Sequence, residues 1–265
     1  MGRIAKRNKW ERLHNKYTTK SARELLSVFN SWNDAIEWDE MTDDNYNVII
    51  NRATDTGQLS RTYINIYNTV GTDYGKRTGK EINAQLKQFT LTNFITQLQL
   101  SIDRFFVTNG ISRVVTIEET YKQTIANLLA TRIEDGLTIR EAAKEVQEIV
   151  GKRRFYRWQA LRIARTETTA AANNGAIEAG KVSGFVMEKE WISVLDSRTR
   201  VTPPDKYDHR HMNGKRVGYN EKFNVSGQEM EYPGDPNASV GNVANCRCTI
   251  AVVPKRDSNG DLIPL

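Results

Sequence analysis

Asp196, His209, His211, Cys246 and Cys248 are the residues of this chain best suited by type to hold a metal ion. Carboxylate, imidazole and thiolate are all zinc ligands, and structural zinc takes four of them in a tetrahedron. Cys246 and Cys248, with His209 and either Asp196 or His211, would complete such a set. The H-x-H spacing alone is a weak signal, since a surface loop with incidental histidines looks the same. Cys246 and Cys248 are the only cysteines. Placed in a strand, both thiols would point to one face, and they could equally be two small buried hydrophobes. One intervening residue hinders a bond between them, so the expectation is a reduced, cytosolic protein. An Asp–His pair also suits acid–base chemistry. A zinc with all four places filled by protein is usually structural, because catalysis needs an open position.

A second group lies in RWQALRIARTETTAAANNGAIEAG. Arg165, Thr169 and Asn173 are spaced four apart and share one helical face among alanines and larger apolar residues. They either hydrogen-bond the strands and loops that follow, fixing the helix in place, or bind a ligand. The stretch Lys152 to Arg165 holds Lys152, Arg153, Arg154, Arg157, Arg162 and Arg165 with no acid, interleaved with Phe155, Tyr156 and Trp158. Such mixing suits a phosphate backbone or an acidic protein partner; with the aromatics in the core, only the cations would show. The formal charge of +6 resides entirely in residues 1–25, and the remainder is balanced. That reads as a basic arm whose Arg3, Lys6, Arg7, Lys9, Arg12 and Lys16 could contact double-stranded DNA or an acidic surface, or as a solvated, partly disordered terminus. The sequence has no Gly-rich phosphate loop, no H-E-x-x-H and no G-x-S-x-G.

Helices must position these groups. From Thr19 to about Gly180 apolar residues recur at three-to-four spacing, and every proline lies at 203 or beyond. Thr138 and Glu141 form a capping box that opens a helix stopped at Gly151, and a second helix is predicted from Arg154 to Ala179, capped by Gly180. After Gly184 the pattern changes to strands: Phe185–Leu195, a pair of short strands turning at Tyr219–Asn220 within Lys215–Val225, and Cys246–Val253. A long loop from Ser197 to Met212 separates the first two. The fold class is therefore α+β: a mainly helical N-terminal region, then a small α+β module with a short, mostly antiparallel sheet. The expected divisions are a basic arm (1–25), a helical region (26–134), the module (135–253) and a tail (254–265). No apolar run approaches the ~20 residues needed to span a bilayer, and the basic N-terminus lacks the apolar stretch of an export signal, so no membrane role is expected.

Read in order, IARTETTAAANNGAIEAG, Trp191 with LDSRTR, His209 ahead of MNGK, Phe223, PGD at 233–235 and NCRC at 245–248 resemble the phage Mu protein F-like family of minor head, or head morphogenesis, proteins. The resemblance covers roughly 135–253. Its recurrent positions would be Arg165, Thr166, Glu167, Asn173, Gly175, Trp191, Asp196, Arg198, Arg200, His209, Gly214, Asn245, Cys246 and Cys248. The loop VTPPDKYD between Arg200 and His209 is longer than the family's usual link. The resemblance implies a low-copy structural protein, not an enzyme, which joins the procapsid in the host cytoplasm and then resides in the virion. Its implied partners are the portal and the scaffold or major capsid protein, with a possible role in DNA ejection; Arg165, Thr166, Glu167, Asn173, Arg198, Arg200 and Asn245 would serve binding. Two other classes stay open: a metal-dependent hydrolase, nuclease or toxin-related enzyme on the same module, and a simple DNA-binding protein.

Overall fold

The computed structural model describes residues 2–86, 91–152 and 154–265; Arg153 of the basic stretch lies outside them. Helix α1 (Arg3–Asp34) leads through a short 3-10 turn to α2 (Tyr46–Ala53). Two long helical rods follow, each with one π-turn inside it. The first is α3 (Thr56–Ile66) and α4 (Thr72–Leu86), joined through Tyr67–Gly71; the second is α5 (Leu91–Phe105) and α6 (Ile111–Glu134), joined through Phe106–Gly110. Helix α7 (Ile139–Val150) starts at the predicted capping box, with Thr138 and Glu141 each bonding the other's backbone. Its apolar stripe, Ala142, Ala143, Val146 and Val150, is buried as its period requires.

Helix α8 (Arg157–Lys181) is the axis of the molecule. Every residue from Glu167 to Gly180 is buried, and α1, α4, α5 and the sheet all pack on it. A helix covered on all sides needs small residues where its neighbours come closest. A Cβ on Gly175 would sit 2.2 Å from the Gly71 carbonyl oxygen, and one on Gly75 would sit 2.3 Å from the Phe94 ring. These glycines are there for close approach of backbones.

The sheet orders β2 (Arg216–Gly218), β1 (Met187–Ile192) and β5 (Thr249–Pro254), all antiparallel. Trp191 faces Ile250 across the register. Strands β3 (Phe223–Val225) and β4 (Gln228–Met230) form a separate hairpin. Its turn is Ser226–Gly227, with φ of 53° and 85°, as a two-residue hairpin turn of this hand requires. A short helix, α9 (Val240–Val243), precedes β5.

Three sequence expectations change. The Lys215–Val225 pair is not a hairpin: β2 joins β1, while β3 finds its partner downstream. Cys246 and Cys248 lie in the loop before β5, not in the strand, because the turn at Asn245 (φ 56°) delays pairing until Thr249. Residues 3–25 are not a separate arm but the first part of α1, with Trp10, His14, Tyr17, Ser21 and Leu25 buried. One apolar core runs from Trp10 to Val252, so the N-terminal helices and the module share α8. Among the described residues, no helix is long and apolar enough to cross a membrane.

Candidate functional site

The long loop after β1 brings His209 back toward the loop that carries the two cysteines. His209 Nδ1 lies 3.5 Å from Cys246 Sγ and 3.7 Å from Cys248 Sγ. All three residues are buried, with 1%, 2% and 3% of their surface exposed. Their ligand atoms fall within 4.8 Å of one another, an arrangement that could hold a metal ion. The imidazole is oriented from behind: His209 Nε2 bonds Asn242 Oδ1 at 2.7 Å, and Asn242 Nδ2 donates to Gln228 Oε1 at 2.9 Å. Trp191 meets the ring edge-on, with centroids 5.4 Å apart. The hydrogen bond between the two free thiols pulls Cys246 below its ordinary pKa and pushes Cys248 above it, where burial adds to the rise.

Helix α8 fixes this loop through the polar stripe noted in the sequence. Thr169 Oγ1 donates to the Cys246 carbonyl. Asn173 Nδ2 donates to the carbonyls of Pro233 (2.8 Å) and Cys248 (3.3 Å), while its Oδ1 accepts from Thr249 Oγ1 and the Ile250 amide. Thr166 Oγ1 accepts from the Asn245 amide at 3.0 Å. Glu167, off that stripe, is buried and accepts from Tyr67 (3.0 Å) and Arg113 (2.7 Å), tying α8 to both rods. Thr166, Thr169 and Asn173 thus bond the following loop and strand. Arg165 instead lies over the exposed Trp158 ring, 5.9 Å from its centroid.

Helix α1 adds contacts that the sequence reading missed. Trp10 Nε1 donates to the Arg247 carbonyl at 2.6 Å. His14 Nε2 bonds Thr169 Oγ1 at 3.1 Å, so a short chain of bonds runs from α1 through α8 to Cys246. The usable signal was the spacing of Trp10, His14, Tyr17, Ser21 and Leu25, a helical stripe that cannot belong to a solvated arm.

Asp196 does not join the cluster. Its carboxylate accepts from Arg247 at 2.6 Å and from Arg198 and Thr199, and the Arg247 bond holds its pKa far below the usual carboxylate range. Committed to these donors, it is not among the residues whose ligand atoms cluster. His211 is exposed and bonded to Asp208. Arg200 donates to the Ala244 carbonyl and pairs with Asp205 at 3.4 Å, bracing the cysteine loop from outside. Of the six cations assigned to DNA, Arg3 pairs with Glu190, and Lys6 and Lys9 share Glu81. Their helix packs on the body, which brings these acids within reach. Among the described residues, Arg7, Arg12 and Lys16 form no salt bridge. In the basic stretch Tyr156 is core, but Trp158 is 63% exposed, so the aromatics are not all buried.

Residues 123–251 match the family described as Phage Mu protein F like protein. The module belongs to the phage Mu protein F-like family. That membership ties the Mu F-like module to phage head morphogenesis. Two curated proteins are also similar. An Enterococcus faecalis (strain ATCC 700802 / V583) protein named NAD(+)--arginine ADP-ribosyltransferase EFV is 30% identical over 140 residues, 52% of this chain and 27% of that protein. The uncharacterized protein YqbB of Bacillus subtilis (strain 168) is 26% identical over 133 residues, 49% of this chain and 41% of YqbB. The matched stretch is thus less than half the length of either relative. No solved structure matches.

Proposed function

We propose that this chain is a minor head protein of a tailed phage, acting in procapsid assembly through contact with the portal and with the scaffold or major capsid protein. The match of residues 123–251 to the Mu F-like family carries the reading. The structure is consistent with it: the polar residues inside the module are used to hold its own loops, leaving partner contact to the surface. Exposed Arg154 in the turn before α8, with Arg157, Trp158 and Arg162 at the start of the helix, offers cations and an aromatic ring to an acidic protein face. In this reading the protein resides in the virion, has no enzymatic step, and carries zinc at His209, Cys246 and Cys248. Contact with packaged DNA falls to Arg7, Arg12 and Lys16.

Co-expression of the full chain with the phage's own portal tests the proposal. Co-purification, together with the protein's presence in proheads, is the expected result; absence from both proheads and mature heads overturns it. Replacing Arg154, Arg157 and Arg162 with Glu should weaken portal capture while leaving thermal stability unchanged. An enzyme is the second reading, favoured by the name of the enterococcal relative, although the match spans only 27% of that protein. Hydrolase or nuclease activity abolished by His209→Ala would promote it.

A further inference from the structure

We infer that His209 Nδ1, Cys246 Sγ and Cys248 Sγ hold one zinc ion whose fourth ligand is a water molecule anchored by Asn245. The inference rests on the zinc assignment above and not on the role in head assembly. Two thiolates and an imidazole are soft and borderline donors that select zinc over calcium or magnesium, and two thiolates neutralise a divalent ion. A ligating histidine is commonly fixed by a bond from its other ring nitrogen. Here Asn242 Oδ1 takes the Nε2 proton, and Gln228 fixes the Asn242 amide so that its oxygen faces the ring. The Nδ1 lone pair is thereby directed at the two sulfurs.

Among the described residues, no fourth cysteine, histidine or carboxylate joins these three ligands. Asp196 is saturated by Arg247 and Arg198, and His211 bonds Asp208 outside. In their place is a crevice lined by the three ligands, Asn245, Thr199 and nearby arginines, with room for about one water. Asn245 supplies the anchor. Its backbone is fixed by the Thr166 bond and a left-handed turn, and its buried Oδ1 accepts no hydrogen bond among the described residues. A buried acceptor without a partner is costly. A zinc-bound water has a proton to give it, and Asn245 lines the same crevice as the three ligands.

Untagged full-length protein should contain one zinc per chain by elemental analysis; less than about a tenth of that overturns the site. X-ray absorption should resolve two sulfurs at ~2.3 Å and two lighter donors at ~2.0–2.1 Å, with one imidazole. A third sulfur or a second imidazole overturns the water. Asp196→Asn and His211→Ala should each retain the metal, and zinc loss in either one reinstates a protein ligand. Asn245→Gly accommodates the left-handed turn and removes the acceptor, so zinc affinity should fall about tenfold, as for other outer-shell partners; an unchanged affinity overturns the anchoring. Wild-type metal content and absorption decide the matter even if ligand variants fail to fold. Failure to capture the portal would leave all of these readouts in place.

Discussion

His14 is a buried histidine with no surface role, and its chemistry predicts a pH dependence. Burial lowers its pKa from 6.5 to about 3, because the charged ring would lose its hydration. Between those values an unfolded chain takes up a proton that the native protein refuses. Stability therefore falls as pH drops through that window, by on the order of a few kcal/mol if the whole shift is expressed. Urea midpoints measured from pH 6.5 to 4.5 should decline in the wild type, and His14→Gln should flatten much of that decline. Asn173 is the other decisive side chain. Removing it strands the Ile250 amide and loosens two carbonyl contacts, so Asn173→Ala should cost on the order of 3 kcal/mol in chemical denaturation. Residue type alone singled out Asn173, His209 and both cysteines, since these are unusual in their surroundings. It missed Asn242 and Gln228, because ordinary amides acquire meaning only when the fold sets them behind an imidazole.

At the scale of elements, the crossing of α8 with the first rod depends on missing side chains. Gly175→Ala would drive a methyl into the Gly71 carbonyl, and the helices would have to part. Overpacking of this kind costs about 1–3 kcal/mol, and we expect Gly175→Ala to lie at the upper end, read as a lowered urea midpoint with an unchanged far-ultraviolet helix signal. Local signals found the helices well. The capping box at Thr138, the stop near Gly151 and the extent of α8 were legible because they depend on neighbours a few residues away. The β2–β3 pairing was misread because alternation marks a strand without naming its partner; the Ser226–Gly227 turn was the signal that could have corrected it.

For the molecule as a whole, the excess positive charge was visible in the sequence but its setting was not. Composition placed all of it in residues 1–25; the structure makes residues 3–25 most of a packed helix. Deleting 1–25 and neutralising its free cations are therefore different experiments. The deletion removes Trp10, His14 and Tyr17 from the core and should destabilise the protein globally, whatever it does to DNA. Replacing Arg7, Arg12 and Lys16 with Gln should leave the melting temperature within about a degree or two, since surface substitutions of this kind change stability little. If the proposed DNA binding occurs, the same variant should also reduce duplex affinity, and the log-salt slope should shrink by up to ~0.9 for each phosphate that is no longer neutralised. Duplex affinity unchanged by the triple variant would clear Arg7, Arg12 and Lys16 of the contact, and no binding by the wild type would remove DNA from the partners of this protein.

The bond from Trp10 to the Arg247 carbonyl joins residues 237 apart in sequence, and this bears on how the protein is made. Helix α1 leaves the ribosome well before Arg247, an anchoring partner made 237 residues after Trp10. Throughout translation its aromatic stripe must wait without that partner, exposed to solvent or sheltered by a chaperone, and docking of such distant segments is slow. Nascent chains stalled before residue 245 should keep Trp10 open to a water-soluble quencher, and release of the full chain should close it.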